Sequence, residues 1–120
     1  MSNYLSGEKV LDENPTAGAT ATDAVICDGE SGASFQVVQD GTIQATLVLQ
    51  ETNHPQILQK PDDPNITWTD NTDVTIDALT GSAGSTVYNL GNVQSLAIRL
   101  SVTPTVNGNL TIFATTKPSA

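Results

Sequence analysis

From Gly41 to Thr52 the chain alternates between apolar and polar positions. Ile43, Ala45, Leu47 and Leu49 share one parity, and Thr42, Gln44, Thr46 and Gln50 the other, with Val48 the one break in the polar set. Side chains along a strand point to opposite faces in turn, so this pattern predicts a long strand with one face on a core. Gln94 to Thr105 repeats the form, with Leu96, Ile98, Leu100 and Val102 on one side and Arg99, Ser101 and Thr103 on the other. These two stretches are the expected centre of the fold.

Shorter segments fill in around them. Ala24 to Cys27 predicts a brief strand closed by the turn-rich Asp28-Gly29-Glu30-Ser31-Gly32, and Ser34 to Val38 a second strand with Phe35 and Val37 on one face. Asp40-Gly41 predicts a tight hairpin into the central strand. After Thr52 the alternation stops. Asn53-His54-Pro55 and Pro61-Asp62-Asp63-Pro64-Asn65 bracket a loop, with Ile57 and Leu58 expected to pin it to the domain. Further strands are expected at Ile66 to Asp70, carrying Trp68, and at Asp73 to Ala78, with Val74, Ile76 and Ala78 inward. A turn at Gly81 to Ser85, an edge-like strand at Val87 to Leu90, a turn at Pro104 to Gly108 and a last strand at Asn109 to Thr116 complete the pattern. Seven or eight strands, frequent turns and no helical period predict an all-β fold, an antiparallel β-sandwich or jelly roll in a single domain over residues 23–120.

Residues 1–22 break this pattern. Gly7, Pro15 and the run Thr16-Ala17-Gly18-Ala19-Thr20-Ala21-Thr22 show neither a period of two nor one of 3.6. They are expected to form an extended N-terminal arm, either a solvated tail or a segment that orders on a neighbouring subunit. In the second case Tyr4, Leu5, Val10 and Leu11 supply the apolar patches that bind the partner.

Composition changes the picture in one respect. Charged residues make up 14% of the chain, well below the roughly 25% of ordinary domains, and 17 threonines help to supply the polarity instead. The 13 acids against 4 bases give a net charge of −9, which opposes binding to nucleic acid and to anionic membrane surfaces. No apolar run approaches the roughly 20 residues of a membrane-spanning helix. Met1 to Val10 lacks the basic region and apolar core of a secretory leader, so synthesis and retention in a cytoplasm are expected. On that ground the sequons Asn65-Ile66-Thr67 and Asn109-Leu110-Thr111 are read as coincidences of an Asn- and Thr-rich chain.

Candidate chemistry is sparse. His54 lies between Asn53 and Pro55 with no nucleophile elbow or glycine-rich oxyanion loop in the chain, so no enzyme is expected. One cysteine, Cys27, permits no internal disulfide and reads as a small buried hydrophobe. Asp62, Asp63, Asp70 and Asp73 flank Trp68 on loops that could hold calcium, but their spacing is not that of an EF-hand and solvated loop acids are the commoner case. No cofactor is expected. Trp68, between Thr67 and Thr69, is either a core anchor or a platform on which a sugar stacks.

One order of features resembles a known family. Gly41-Thr42-Ile43-Gln44-Ala45-Thr46-Leu47-Val48-Leu49-Gln50, then Trp68-Thr69-Asp70, then Ala97-Ile98-Arg99-Leu100-Ser101-Val102, closed by Asn107-Gly108, is similar to small β-sandwich proteins of tailed-phage virions. The likeness spans residues 35–114. It implies a virion protein assembled in the host cytoplasm: a capsid decoration (cement) protein on the outer face of the head, bound to the major capsid protein and to copies of itself as a homo-oligomer. A tail or neck component is the alternative within the virion. Discoidin-like sugar-binding sandwiches share the Trp and Arg positions loosely, which keeps a carbohydrate-binding adhesin module as the alternative from another class.

Overall fold

The computed structural model describes residues 7–13, 18–27 and 31–118, and within them the chain forms ten strands. β1 (Glu8–Glu13), β10 (Leu110–Pro118), β4 (Ser31–Gln39) and β8 (Gly84–Val93) build one antiparallel sheet, in the order β1-β10-β4-β8. β9 (Ala97–Val106) and β5 (Gln44–Thr52) form the centre of the other. It is flanked on the β9 side by β2 (Thr20–Ala21) and β3 (Val25–Ile26), and on the β5 side by β6 (Thr69–Asp70) and β7 (Leu79–Thr80). All pairings are antiparallel.

The sheets face one another through the alternating apolar positions. Phe35 and Val37 of β4 and Leu110, Ile112 and Ala114 of β10 meet Ala45, Leu47 and Leu49 of β5 and Ile98, Leu100 and Val102 of β9 in one continuous core. Each fully buried Leu, Ile or Phe contributes about 1.5–3 kcal/mol by leaving water. The two long strands expected at the centre pair with each other along their length, Leu47 opposite Val102 and Leu49 opposite Leu100. The all-β antiparallel sandwich expected from the sequence is what the chain forms.

The connections differ from expectation. β4 and β5 lie in different sheets, so Asp40-Gly41 is a crossing between layers and not a hairpin. The β9–β10 connection crosses beside it, and one carboxylate organises both. Asp40 Oδ1 accepts from the Thr42 and Ile43 amides (2.9 and 3.1 Å), and Oδ2 accepts from the Asn109 amide (3.0 Å). Gly108 is buried between them: a Cβ there would sit 2.5 Å from the Ile43 nitrogen. Only glycine allows the two backbones to approach this closely.

The expected arm is part of the domain where it is described. β1 pairs with β10 from Glu8↔Ala114 to Glu13↔Leu110, and β2 pairs with β9. The register slips between Lys9 and Leu11, a bulge that lets the adjacent Val10 and Leu11 both turn into the core, where they are 6% and 9% exposed. Thr22 then fills a gap between β2 and β3. Its hydroxyl accepts from the Leu100 amide (3.1 Å), standing in for a backbone carbonyl, while its own amide donates to the Leu100 carbonyl (2.9 Å).

Three further expectations change. Asp73 to Ala78 is no strand: Ile76 is buried and Val74 packs on the core, but the segment joins no ladder and Ala78 is exposed. The strand beginning at Ile66 shrinks to Thr69–Asp70, leaving Trp68 just ahead of it. The edge strand expected at Val87 to Leu90 is ten residues long, Gly84–Val93. Pro104 lies inside β9, beside a register shift at Gln44/Ala45, where a missing N–H is tolerated.

Candidate functional site

Between β5 and β6 the chain leaves the sheet and folds back over its outer face. Pro55–Leu58 is a 3₁₀ turn capped by His54, whose Nδ1 accepts from the Gln56 amide at 3.1 Å while its own amide donates to Thr52 Oγ1. His54 therefore caps a turn, and its Nδ1 lone pair is engaged there. Asp63 Oδ1 fixes the next turn by accepting from the Asn65 amide (2.9 Å). Ile57 and Ile66 are buried against Ala97, with Ala24, Ile26, Leu96 and Trp68 around them, forming a second small core outside the sandwich. Leu58, paired with Ile57 in the sequence reading, is instead 54% exposed.

This small core sets Trp68 over the sheet, where Arg99 rises from β9. The guanidinium carbon lies 4.4 Å from the centroid of the indole ring, within cation–π range. Arg99 Nε donates to Gln50 Oε1 (2.7 Å), and Gln50 Nε2 donates to Asp70 Oδ1 (2.9 Å). The pairings Arg99↔Gln50 and Gln50↔Asp70 make this a row across three neighbouring strands. Burial lowers the Arg99 pKa from its ordinary value, and the guanidinium keeps its charge at neutral pH. Among the described residues no ion pair holds it.

Beside the stacked pair lies an open cavity of about 520 Å³, walled by Thr22, Asp23, Pro61, Asp62, Trp68 and Arg99. It offers a guanidinium fork suited to paired acceptors, two carboxylates that accept from hydroxyls, and part of an aromatic ring. Such a set is suited to contact and hydrogen bonding with a ligand.

The other sequence-predicted residues lie elsewhere. Val10 and Leu11, expected to bind a partner, are buried in the chain's own core, and Tyr4 and Leu5 lie outside the described residues. Cys27 is buried at 1% exposure, as expected, with its Sγ 3.5 Å from the Val25 carbonyl. The four loop aspartates do not converge: Asp62 lines the cavity, Asp63 caps a turn, Asp70 accepts from Gln50, and the Asp73 amide donates to Asn71 Oδ1. No group of three potential metal-ligating side chains forms among the described residues. The stacking of Arg99 on Trp68 was not foreseen. The signal available was a lone arginine on the polar face of a core strand, but nothing in a one-dimensional pattern brings it to a tryptophan 31 positions away.

The described residues form an all-β, two-sheet antiparallel sandwich with an open cavity beside Trp68 and Arg99 on one outer face. No protein-family model, curated protein or solved structure matches the chain.

Proposed function

We propose that the chain is a virion structural protein: a decoration protein on the outer face of a tailed-phage head, attached by contacts with the major capsid protein and with copies of itself. The observation carrying this reading is spatial. The stretches on which the resemblance to phage sandwich proteins rests, Gly41–Gln50, Trp68–Asp70 and Ala97–Val102, run through three neighbouring strands of one sheet, joined there by the row Arg99–Gln50–Asp70, and Asn107-Gly108 follows β9 in the crossing to β10. The likeness thus concerns one connected piece of architecture, not scattered residues. The charge of −9 supports a position away from packaged DNA, and on this reading the chain works by contact and not by catalysis.

The test is localisation. Antibody raised against the purified chain should decorate virus particles over the head, and the purified chain should bind saturably to heads that lack it. Label confined to the tail would replace decoration by the tail or neck reading. Absence of both label and binding would end the virion reading.

A carbohydrate-binding module is the second reading, favoured by the cavity beside the half-buried Trp68. It predicts signal on a glycan array that Trp68→Ala abolishes. The Arg99 guanidinium already covers one face of the ring, so a sugar would have to use the cavity side.

A further inference from the structure

The sandwich has two long sheet edges, and they are treated very differently. A strand at an edge presents unpaired N–H and C=O groups to any other strand, and proteins normally blunt such edges with charge, proline or bulges. β1 follows that rule. Its six residues, Glu-Lys-Val-Leu-Asp-Glu, include four charges, and a bulge falls between Lys9 and Leu11.

β8 does not. Gly84-Ser-Thr-Val-Tyr-Asn-Leu-Gly-Asn-Val93 contains no charged residue and no proline, in a chain whose net charge is −9. Among the described residues it pairs only with β4, and no loop backbone there hydrogen-bonds to its other side. Its register with β4 is regular from Gly84 to Leu90 and shifts only at the Gly32/Ala33 step, where Gly91 is passed over. At the midpoint of that regular run stands Val87, 52% exposed. The edges of the other sheet are broken into two-residue strands and offer no comparable length.

We infer that β8 is a self-association strand: two copies of this chain pair antiparallel through β8 about a two-fold axis at Val87, joining their four-stranded sheets into one continuous sheet. A two-fold axis perpendicular to the sheet keeps each side chain on its own face, so the axis must pass through a residue and not between two. Centring it on Val87 uses the whole regular run. Val87 then faces its own copy, Ser85 faces Asn89, Thr86 faces Tyr88, and Gly84 faces Leu90. None of these pairs brings like charges together, and Thr–Tyr and Val–Val are favourable cross-strand neighbours.

Charge selects the occupant. Two copies at −9 repel, so they approach best along the strand that carries none of that charge. An edge reserved for a foreign strand would need some device against self-pairing, and Gly84 to Leu90 has none. This inference deepens the self-assembly part of the reading above, and because it is measured on the isolated chain it does not depend on the capsid part.

The experiment is sedimentation of the purified chain together with cysteine cross-linking. The wild type should be dimeric at about 100 µM and should dissociate on dilution. Its dimer should tighten as ionic strength rises from about 0.01 to about 0.15 M, because the Debye length shortens from about 30 to about 8 Å. Val87→Lys and Val87→Pro should each weaken the dimer at least tenfold. Under mild oxidation Val87→Cys should cross-link to itself. Ser85→Cys should not, yet it should cross-link when mixed with Asn89→Cys. Cys27 is buried, so the wild type serves as the blank. A monomer at 100 µM would overturn the proposal and leave the edge to another protein's strand. A dimer that survives both Val87 changes, or cross-links that ignore this register, would place the interface elsewhere and overturn it equally. Heads that bind a monomeric chain would refute this inference alone; a dimer that binds no head would refute only the virion reading.

Discussion

The Asp40 carboxylate accepts a hydrogen bond from the Asn109 amide at 3.0 Å, and the Asp40 amide donates to the Asn109 carbonyl at 3.1 Å. Two crossings between the sheets, 69 residues apart in sequence, are locked at this point. The bonds from Asn109, Thr42 and Ile43 hold the Asp40 pKa below the usual carboxylate value, the Asn109 bond having the largest effect.

A carboxylate whose folded pKa is depressed adds stability above its unfolded pKa, and that stability is lost as pH falls through the folded pKa. The melting temperature should therefore fall on the acid side of the ordinary carboxylate range. Asp40→Asn should melt lower than wild type at pH 7 and show a shallower acid decline. Calorimetry across pH 2–7 checks both. Superimposable curves would remove Asp40 from the account.

Gly108→Ala forces a methyl group against the backbone of Ile43, which cannot swing away as a side chain would. A cost of about 1–3 kcal/mol is expected. Gly41→Ala, whose added carbon would find its nearest neighbour at 3.8 Å, should stay within about 0.5 kcal/mol of wild type. Urea unfolding of the pair tests whether the tight crossing or glycine loss in general is responsible.

Removing residues 1–13 deletes β1, exposes the edge of β10 and uncovers core that Val10 and Leu11 had closed. A free arm would leave the melting temperature unchanged; a sheet strand predicts a fall of roughly 10 °C or more, at about 4 °C per kcal/mol. Val10→Asp in the full chain should act in the same direction by burying an unpaired charge.

Thr22→Val keeps the shape of the side chain but leaves the Leu100 amide without its acceptor in a buried place. The expected loss is about 1–3 kcal/mol. Thr22→Ser, which keeps the hydroxyl, should lose less, and the difference between the two isolates the hydrogen bond from the methyl packing.

Alternation was a reliable guide to which side chains are buried and a poor one to which strands pair. Leu47, Leu49, Ile98 and Leu100 were legible because a long strand with one covered face can repeat only every second residue. The same logic misread Asp73 to Ala78, where Val74 and Ile76 reach the core from a segment with no ladder partner. It also missed β1, because the bulge at Lys9/Leu11 turns two consecutive apolar residues inward and erases the period. β8 was seen only at Val87 to Leu90, since Gly84, Ser85, Gly91 and Asn92 have little intrinsic strand preference. The cavity at Trp68 and Arg99 depends on a fold-back over the sheet that local pattern does not encode.

The pairing of β1 with β10 also sets a timetable for biosynthesis. Glu8 cannot meet Ala114 until the intervening chain has been made, and at about 5–20 residues per second that takes roughly 5–20 s on the ribosome. Until then Val10 and Leu11 have no β10 to lie on, and β4, made early, waits for both β8 and β10. Closure of this sheet is thus deferred until β10 has been made, so a nascent chain arrested before Leu110 should remain protease-sensitive at β1 and along the β10-facing edge of β4.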